Sequence, residues 1–436
     1  MKGLDVMNID IAILEGKDAS PGKLRARSRD FDASVEQAVA AIIADVRNRG
    51  DRAVSEYTKR FDGIELESFE APQREIEETV ESFSSANPRL VETFKAAIDN
   101  IRAYHRRQLR EGFTITGERD GVITGQRVIP LDRVGVYIPG GTAAYPSTAL
   151  MNAIPAKLAG VGELCLISPP QGDGKCDAAI VTAAALAGVD RIFKAGGAQA
   201  IAALAFGTES IPRTDKITGP GNIYVQTAKR QLYGIVDIEM IAGPSEILVI
   251  ADGSADARYI AADMLAQAEH DAMAAALFIT TDKPLAEGVK AELSRQIASL
   301  PRLEIAAQSI INNCRIAVVE SLGSAAELSN AVAPEHLELC VADPFALLGS
   351  IRHAGSVFLG NYTPEALGDY FAGPNHTLPT NGAARFSSPL SVDDFVKKSS
   401  FTYYTKGALQ KEAEHIARFA RRERFEAHAR SVEIRF

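Results

Sequence analysis

A run of strand–helix units between residues 133 and 238 limits what this chain can become more than any other feature. Short apolar strands recur at RVGVYIP (133–139), LCLISPP (164–170), RIFKAGG (191–197) and DKITGPG (215–221). Each ends in Gly or Pro and leads into a helical pattern: STALMNAIPAKLAG, DAAIVTAAALAG, AQAIAALAFGT and NIYVQTAKRQLYG. Strands separated by helices of about a dozen residues need crossover connections, so they run parallel with helices on both faces. The spacing predicts a doubly wound α/β layer.

A second alternating series starts at EILVIAD (246–252). It continues through ADARYIAADMLAQAEH, ALFITT, LAEGVKAELSRQIAS, RIAVVE, SAAELSNAVA, HLELCV and GSVFLG. Residues 30–110 read as mostly helical, and FTITGERDGVITGQRVIP after them as Gly-punctuated β structure. The simplest assembly has an N-terminal arm (1–28) and a discontinuous α/β domain (29–133 and 239–385). A second α/β domain (134–238) is inserted in it, and a helical tail (386–436) follows. The tail, with KEAEHIARFARRERFEAHAR, has too few apolar positions for a core of its own. It is expected to pack across another surface, a neighbouring subunit being the obvious one.

At 436 residues the chain can bury two or three cores. Its net charge of -9 argues against a nucleic-acid partner, because no broad cationic surface is available to phosphates. The basic run Arg418, Arg421, Arg422, Arg424 is interleaved with Glu414, Glu423 and Glu426, which suits a solvated or interface-facing helix. No apolar run is long enough to span a bilayer, and the opening residues lack a secretory pattern. Cys165, Cys176, Cys314 and Cys340 stand far apart, which excludes a thiolate zinc cluster and a dense disulfide scaffold. A cytoplasmic location is expected.

Several constellations could carry chemistry. Pro139-Gly140-Gly141, Gly196-Gly197 and Gly219-Pro220-Gly221 fall at the carboxyl ends of neighbouring strands, where doubly wound sheets bind ligands. No full G-x-G-x-x-G is present, and glycines also end strands for steric reasons. Gln267 and His270 are three apart and could form one edge of a metal site, or be a surface amide and a helix-end imidazole. Glu335 and His336 stand at a helix–strand junction, where an imidazole base and a water-activating carboxylate could face a cleft together. They could equally be an exposed helix-end pair. The polar stretch 368–376, with Asp369 and His376, follows the strand GSVFLG and is either a functional loop or a set of turns. Glu423 and His428, five apart, share no helical stripe and read first as a solvated face.

The segments VYIPGGTAAYPSTALMNAIPAKLAGV, KAGGAQAIAALAFGT, ITGPGNIYVQTAKR, VDIEMIAGPSEILVIAD, LAQAEHD, APEHLEL and GDYFAGPNHTLPTNGAARFSSPLSVDDF, in this order, closely resemble the histidinol dehydrogenase family. The likeness runs from about residue 25 to the C-terminus. It implies two incomplete Rossmann-like domains and a four-electron, NAD-dependent oxidation of L-histidinol through L-histidinal to L-histidine. It also implies zinc ligands at Gln267, His270, Asp369 and His428, and an acid–base pair at Glu335 and His336. Substrate contacts fall on Ser245, Glu423 and His376, on His336 and on the ligands themselves; NAD contacts fall on Tyr137, Gln199 and Asn222. The family's homodimer shares its active sites, so Glu423 and His428 are expected to complete the partner's site. Competing readings are a thiohemiacetal chemistry through Cys340, oxidation of another small primary alcohol, and a non-catalytic nucleotide-binding protein.

Overall fold

The computed structural model describes residues 11–24, 33–140 and 144–436. Gly141 of the first glycine cluster, and residues 1–10 and 25–28 of the expected arm, lie outside them.

Two parallel sheets organise the chain. The first runs Arg191–Lys194, Glu163–Ser168, Arg133–Tyr137, Lys216–Thr218, Asp237–Ile238. Counted along the chain from Arg133–Tyr137, that order is 3-2-1-4-5, the doubly wound arrangement of nucleotide-binding sheets. The second runs Ile13–Glu15, Arg315–Val318, Ala275–Thr280, Glu246–Ala251, His336–Cys340, Ser356–Leu359. From Glu246–Ala251 it repeats 3-2-1-4-5, with the N-terminal strand added at its edge. Among the described residues neither series has a sixth strand, so both are incomplete Rossmann-like sheets. The strands Glu246–Ala251 and Ala275–Thr280 are buried at every position, as strands covered on both faces must be.

Two expectations need correction. Residues 29–133 were grouped with 239–385, but the helices Ala33–Arg49, Asp51–Asp62, Gln73–Ala86 and Pro88–His105 do not cover that sheet. Phe94, Ala97, Ile98 and Ile101 share a core with Val134, Ile154 and Leu166. Val39, Ile42, Val46 and Val54 share another with Ile201, Leu204 and Val225. The reason lies in AAIVTAAALA (178–187) and GAQAIAALAF (197–206), which have no polar face to show to water. The N-terminal helices form the outer layer that these two require. The arm is also partly built in, since Ile13–Glu15 pairs with Ile316–Val318.

The tail, finally, is not all helical. Val396–Tyr404 forms a nine-residue strand, antiparallel to Val122–Pro130, with Phe113–Thr116 on the far side. Its side chains are mostly exposed, so it lacks the apolar alternation that marks a half-buried strand. The helices Lys406–Arg422 and Glu426–Glu433 follow and pack on each other around Ala417, Ala420 and Ala429. Among the described residues no helix is long and apolar enough to cross a membrane.

Candidate active site

The candidate acid–base pair sits at the amino ends of two adjacent strands of the second sheet. His336 opens the strand His336–Cys340 and pairs in register with Ile247 of Glu246–Ala251. Glu335 and Ser245 immediately precede these strands. Ala333 takes a left-handed conformation (φ 52°), and the carbonyls of Pro334 and Glu335 accept the N–H groups of Gly355 and Ser356. The backbone entering the pair is therefore held from the neighbouring strand.

Hydrogen bonding settles which nitrogen of His336 is basic. Nδ1 lies 3.1 Å from the Glu246 carbonyl oxygen, which can only accept, so Nδ1 carries the proton. Nε2 keeps its lone pair; it is buried and has no hydrogen-bond partner among the described residues. It lies 3.7 Å from Glu365 Oε1 and 4.0 Å from Asp369 Oδ1. Glu335 Oε2 accepts the Glu246 N–H at 2.9 Å and lies 3.8 Å from His336 Nδ1. Burial pushes the Glu335 carboxyl up to about 7, against a smaller downward pull from His336. A carboxyl that changes protonation near neutrality is what a general base at neutral pH requires.

Beside this pair is a cluster suited to a cation. One ligand atom each from His270, Glu365 and Asp369 lies within 4.8 Å of the others. Gln267, in the last turn of the helix Ala257–Ala268, is fully buried, and neither amide atom has a hydrogen-bond partner among the described residues. Leaving an amide so costs about 1–3 kcal/mol per unmade bond, which an ion at its oxygen would offset. A surface glutamine is thus excluded. His270 lies two residues beyond that helix, its N–H still bonded to the Gln267 carbonyl at 3.3 Å. Burial lowers its imidazole pKa, favouring the neutral form that binds metal.

Glu365 gave no signal in sequence beyond standing four residues before Asp369, one helical turn away on Glu365–Tyr370. It is buried, neither carboxylate oxygen has a hydrogen-bond partner among the described residues, and its carboxyl is pushed well above the usual range by burial and then by Asp369 and Asp263. His376 Nδ1 meets the Asp369 carbonyl oxygen at 3.0 Å, so His376 acts on the position of Asp369.

Glu423 and His428 are not brought here within one chain. Both are exposed: Glu423 caps the helix Lys406–Arg422, and the His428 ring rests 5.1 Å from that of Phe425. Cys340 lies in the core, and burial and the Glu338 carboxylate push its thiol pKa up. A thiolate nucleophile needs the opposite surroundings, which removes the thiohemiacetal reading.

At the first sheet, Tyr137 ends its strand and its buried hydroxyl accepts the Gly197 N–H at 3.2 Å; burial pushes that phenol up to about 12. Asn222 is exposed and caps the helix Ile223–Leu232, its Oδ1 accepting the Tyr224 and Val225 N–H groups. Gln199 is buried with Oε1 unpartnered among the described residues. Gly219 (φ 113°) is required by packing, since a Cβ there would lie 2.0 Å from the Tyr137 carbonyl oxygen. Tyr137 and Asn222 flank the point where strand order reverses, which is where such sheets take ligands.

The histidinol dehydrogenase family model matches residues 25–436. Among curated relatives, the histidinol dehydrogenase of Bacillus anthracis is 53% identical over 414 residues, covering 95% of each chain. That of Bacillus subtilis (strain 168) is 54% identical over 410 residues, covering 93% of this chain and 95% of its own. The crystal structure of histidinol dehydrogenase from Elizabethkingia anophelis superposes with a TM-score of 0.91 at 38% identity, covering 98% of both chains. Matched along nearly its whole length by the family model and by relatives at more than half identity, this chain belongs to the histidinol dehydrogenase family.

Proposed function

We propose that this chain oxidises L-histidinol to L-histidine in two NAD-linked steps at a zinc-bearing site. The observation that carries the reading is His336 Nε2: buried, unprotonated by its hydrogen bonding, and aimed at a cation-suited cluster.

The donor set fits zinc: imidazole, carboxylate and amide oxygen are ligands it accepts, and the unpaired amide of Gln267 is most simply relieved by an ion. Gln267, His270 and Asp369 would hold it, with His428 from a second copy of the chain. The turn carrying Asn222, with Tyr137 and Gln199, would hold the dinucleotide. When bound, NAD supplies the hydride acceptor and zinc an orienting positive charge.

The chain's own residues supply the rest. His336 Nε2 removes the alcohol proton as the carbinol carbon loses a hydride, leaving histidinal. Glu335, in its ionised form, takes a proton from the water that adds to the aldehyde, while protonated Nε2 returns its proton to the aldehyde oxygen and is free to act again. Nε2 then removes a hydroxyl proton from the hydrated aldehyde as the second hydride departs, leaving the carboxylate. Two hydrides and one water account for the change from alcohol to acid. Burial of the pair limits access of bulk water, and retention of the aldehyde between steps prevents its side reactions.

The direct test is stoichiometric. Purified protein given limiting L-histidinol and excess NAD should form about two NADH per substrate, lose activity to a chelator and regain it with zinc. One NADH with free aldehyde sinks the four-electron reading, and no turnover points to another primary alcohol.

Glu335→Gln separates the two steps. The amide retains an acceptor for the Glu246 N–H but cannot take a proton. Oxidation of supplied histidinal should fall about 100-fold or more, while the first hydride transfer changes only a few-fold. A base must be ionised, so the wild-type aldehyde step should rise as pH increases through about 7. That rise should vanish in the variant. Equal losses in both steps would remove the assigned division of labour.

A further inference from the structure

One buried ion pair has no place in this mechanism. Lys229, on the helix Ile223–Leu232, is fully buried, and the Glu239 side chain is 2% exposed. Lys229 Nζ donates to Glu239 Oε1 at 2.6 Å and to the Gly219 carbonyl at 3.0 Å. The same Glu239 oxygen accepts the Gly219 N–H at 2.8 Å. Both backbone polar groups of Gly219 are thus held, one by each member of the pair. Glu239 Oε2 is buried with no partner among the described residues.

Stability alone is a poor account of such a pair. Desolvating two charges offsets most of their attraction, and well-packed apolar residues of similar volume often do as well or better. An unpaired carboxylate oxygen adds to the cost. What apolar side chains cannot do is grip an N–H and a carbonyl of one residue at the same time. Gly219 is where that grip matters, because its backbone is pressed against the end of the strand Arg133–Tyr137.

The grip extends to the connector between the sheets. Glu239 begins the segment that leads to Ser245. In that segment Ala242 donates its N–H to Gln226 Oε1 at 3.2 Å, and Gly243 donates its N–H to Thr380 Oγ1 at 2.6 Å. Gln226 and Lys229 lie on the same helix, whose N-cap is Asn222. A single helix therefore fastens the glycine turn at one place and the connector at another.

We propose that Lys229 and Glu239 are positioning residues that set the backbone of the Gly219–Asn222 turn for a dinucleotide, an effect separable from their contribution to stability. The ligand in this statement rests on the NAD reading above; the setting of the turn does not. Lys229→Met/Glu239→Leu replaces the pair with apolar volume, and Glu239→Gln keeps the shape without the charge. Three quantities are read on the zinc-loaded protein: NADH affinity by fluorescence titration, Tm, and hydrogen exchange of peptides covering 216–224.

In the double variant Tm should fall by a few degrees, because the buried Gly219 N–H and carbonyl lose their partners. NADH Kd should rise about tenfold or more, and amides of the turn should exchange faster. Glu239→Gln should move the same two readouts by less. Unchanged exchange in both variants overturns the proposal, as does a loss of NADH affinity that tracks Tm across them. If the wild-type protein binds no NADH, the dinucleotide reading fails, and hydrogen exchange with Tm decides the role of the pair alone.

Discussion

Replacing His336 with Asn should reduce both oxidations, lowering kcat by about 10²–10⁴-fold for L-histidinol and for supplied histidinal alike. The substitution is chosen because an asparagine amide can still donate toward the Glu246 carbonyl, the partner that fixes the imidazole. It removes the basic Nε2 and little else. Zinc content should change only modestly, since His336 stands beside the cation cluster and not in it. Measured with Glu335→Gln, the pair gives two signatures: one variant impaired throughout, the other mainly after the aldehyde. If His336→Asn oxidised histidinal at the normal rate, the second base would have to be sought elsewhere, and Glu365 would be the first candidate.

The second large effect concerns the tail. His428→Ala alone and His336→Asn alone should both be inactive, yet mixed and reassociated they should recover about a quarter of wild-type activity. The fraction follows from geometry. Random pairing makes half the dimers mixed, and each mixed dimer joins one intact core to one intact tail. The motive is the exposure of the tail: Phe419, on the first of two helices whose shared core is three alanines, is 70% exposed, and Ile434, just past the second, is 82% exposed. Apolar surface of that kind on a charged helix pair calls for a covering partner. A His428→Ala protein that keeps its zinc and activity without mixing would end the shared-site reading.

Much of the fold is legible in the sequence because buried parallel strands leave a plain trace. EILVIA and AALFIT are short apolar runs bounded by helix-length segments, and few arrangements other than a doubly wound sheet accept such a series. The destination of the N-terminal helices is not legible. An apolar helix face such as that of Phe94, Ile98 and Ile101 carries no address, and either sheet could have received it. Val396–Tyr404 escaped notice because a two-sided, solvated strand has no pattern to show. Of the candidate site, Gln267, His270, Glu335, His336 and Asp369 stand in distinctive motifs, and Glu365 does not. A lone glutamate in a six-residue helix looks like any solvated acid until burial is known. Nor could periodicity reveal that Glu335 and His336 lie at the amino ends of their strands, because a hydrophobic pattern does not say which end of a sheet meets a cleft.

The ribbon formed by Val122–Pro130 and Val396–Tyr404 also sets a timetable. Its inner strand is made early, whereas the strand that covers it is separated from it by every strand of both parallel sheets except Ile13–Glu15. During synthesis the backbone edge of Val122–Pro130 therefore stays open until almost the last residues emerge. An open edge is a template for pairing with the wrong strand. A ribosome that stops short of the final forty residues would release a protein with both sheets complete and that edge bare, prone to join its neighbours edge to edge.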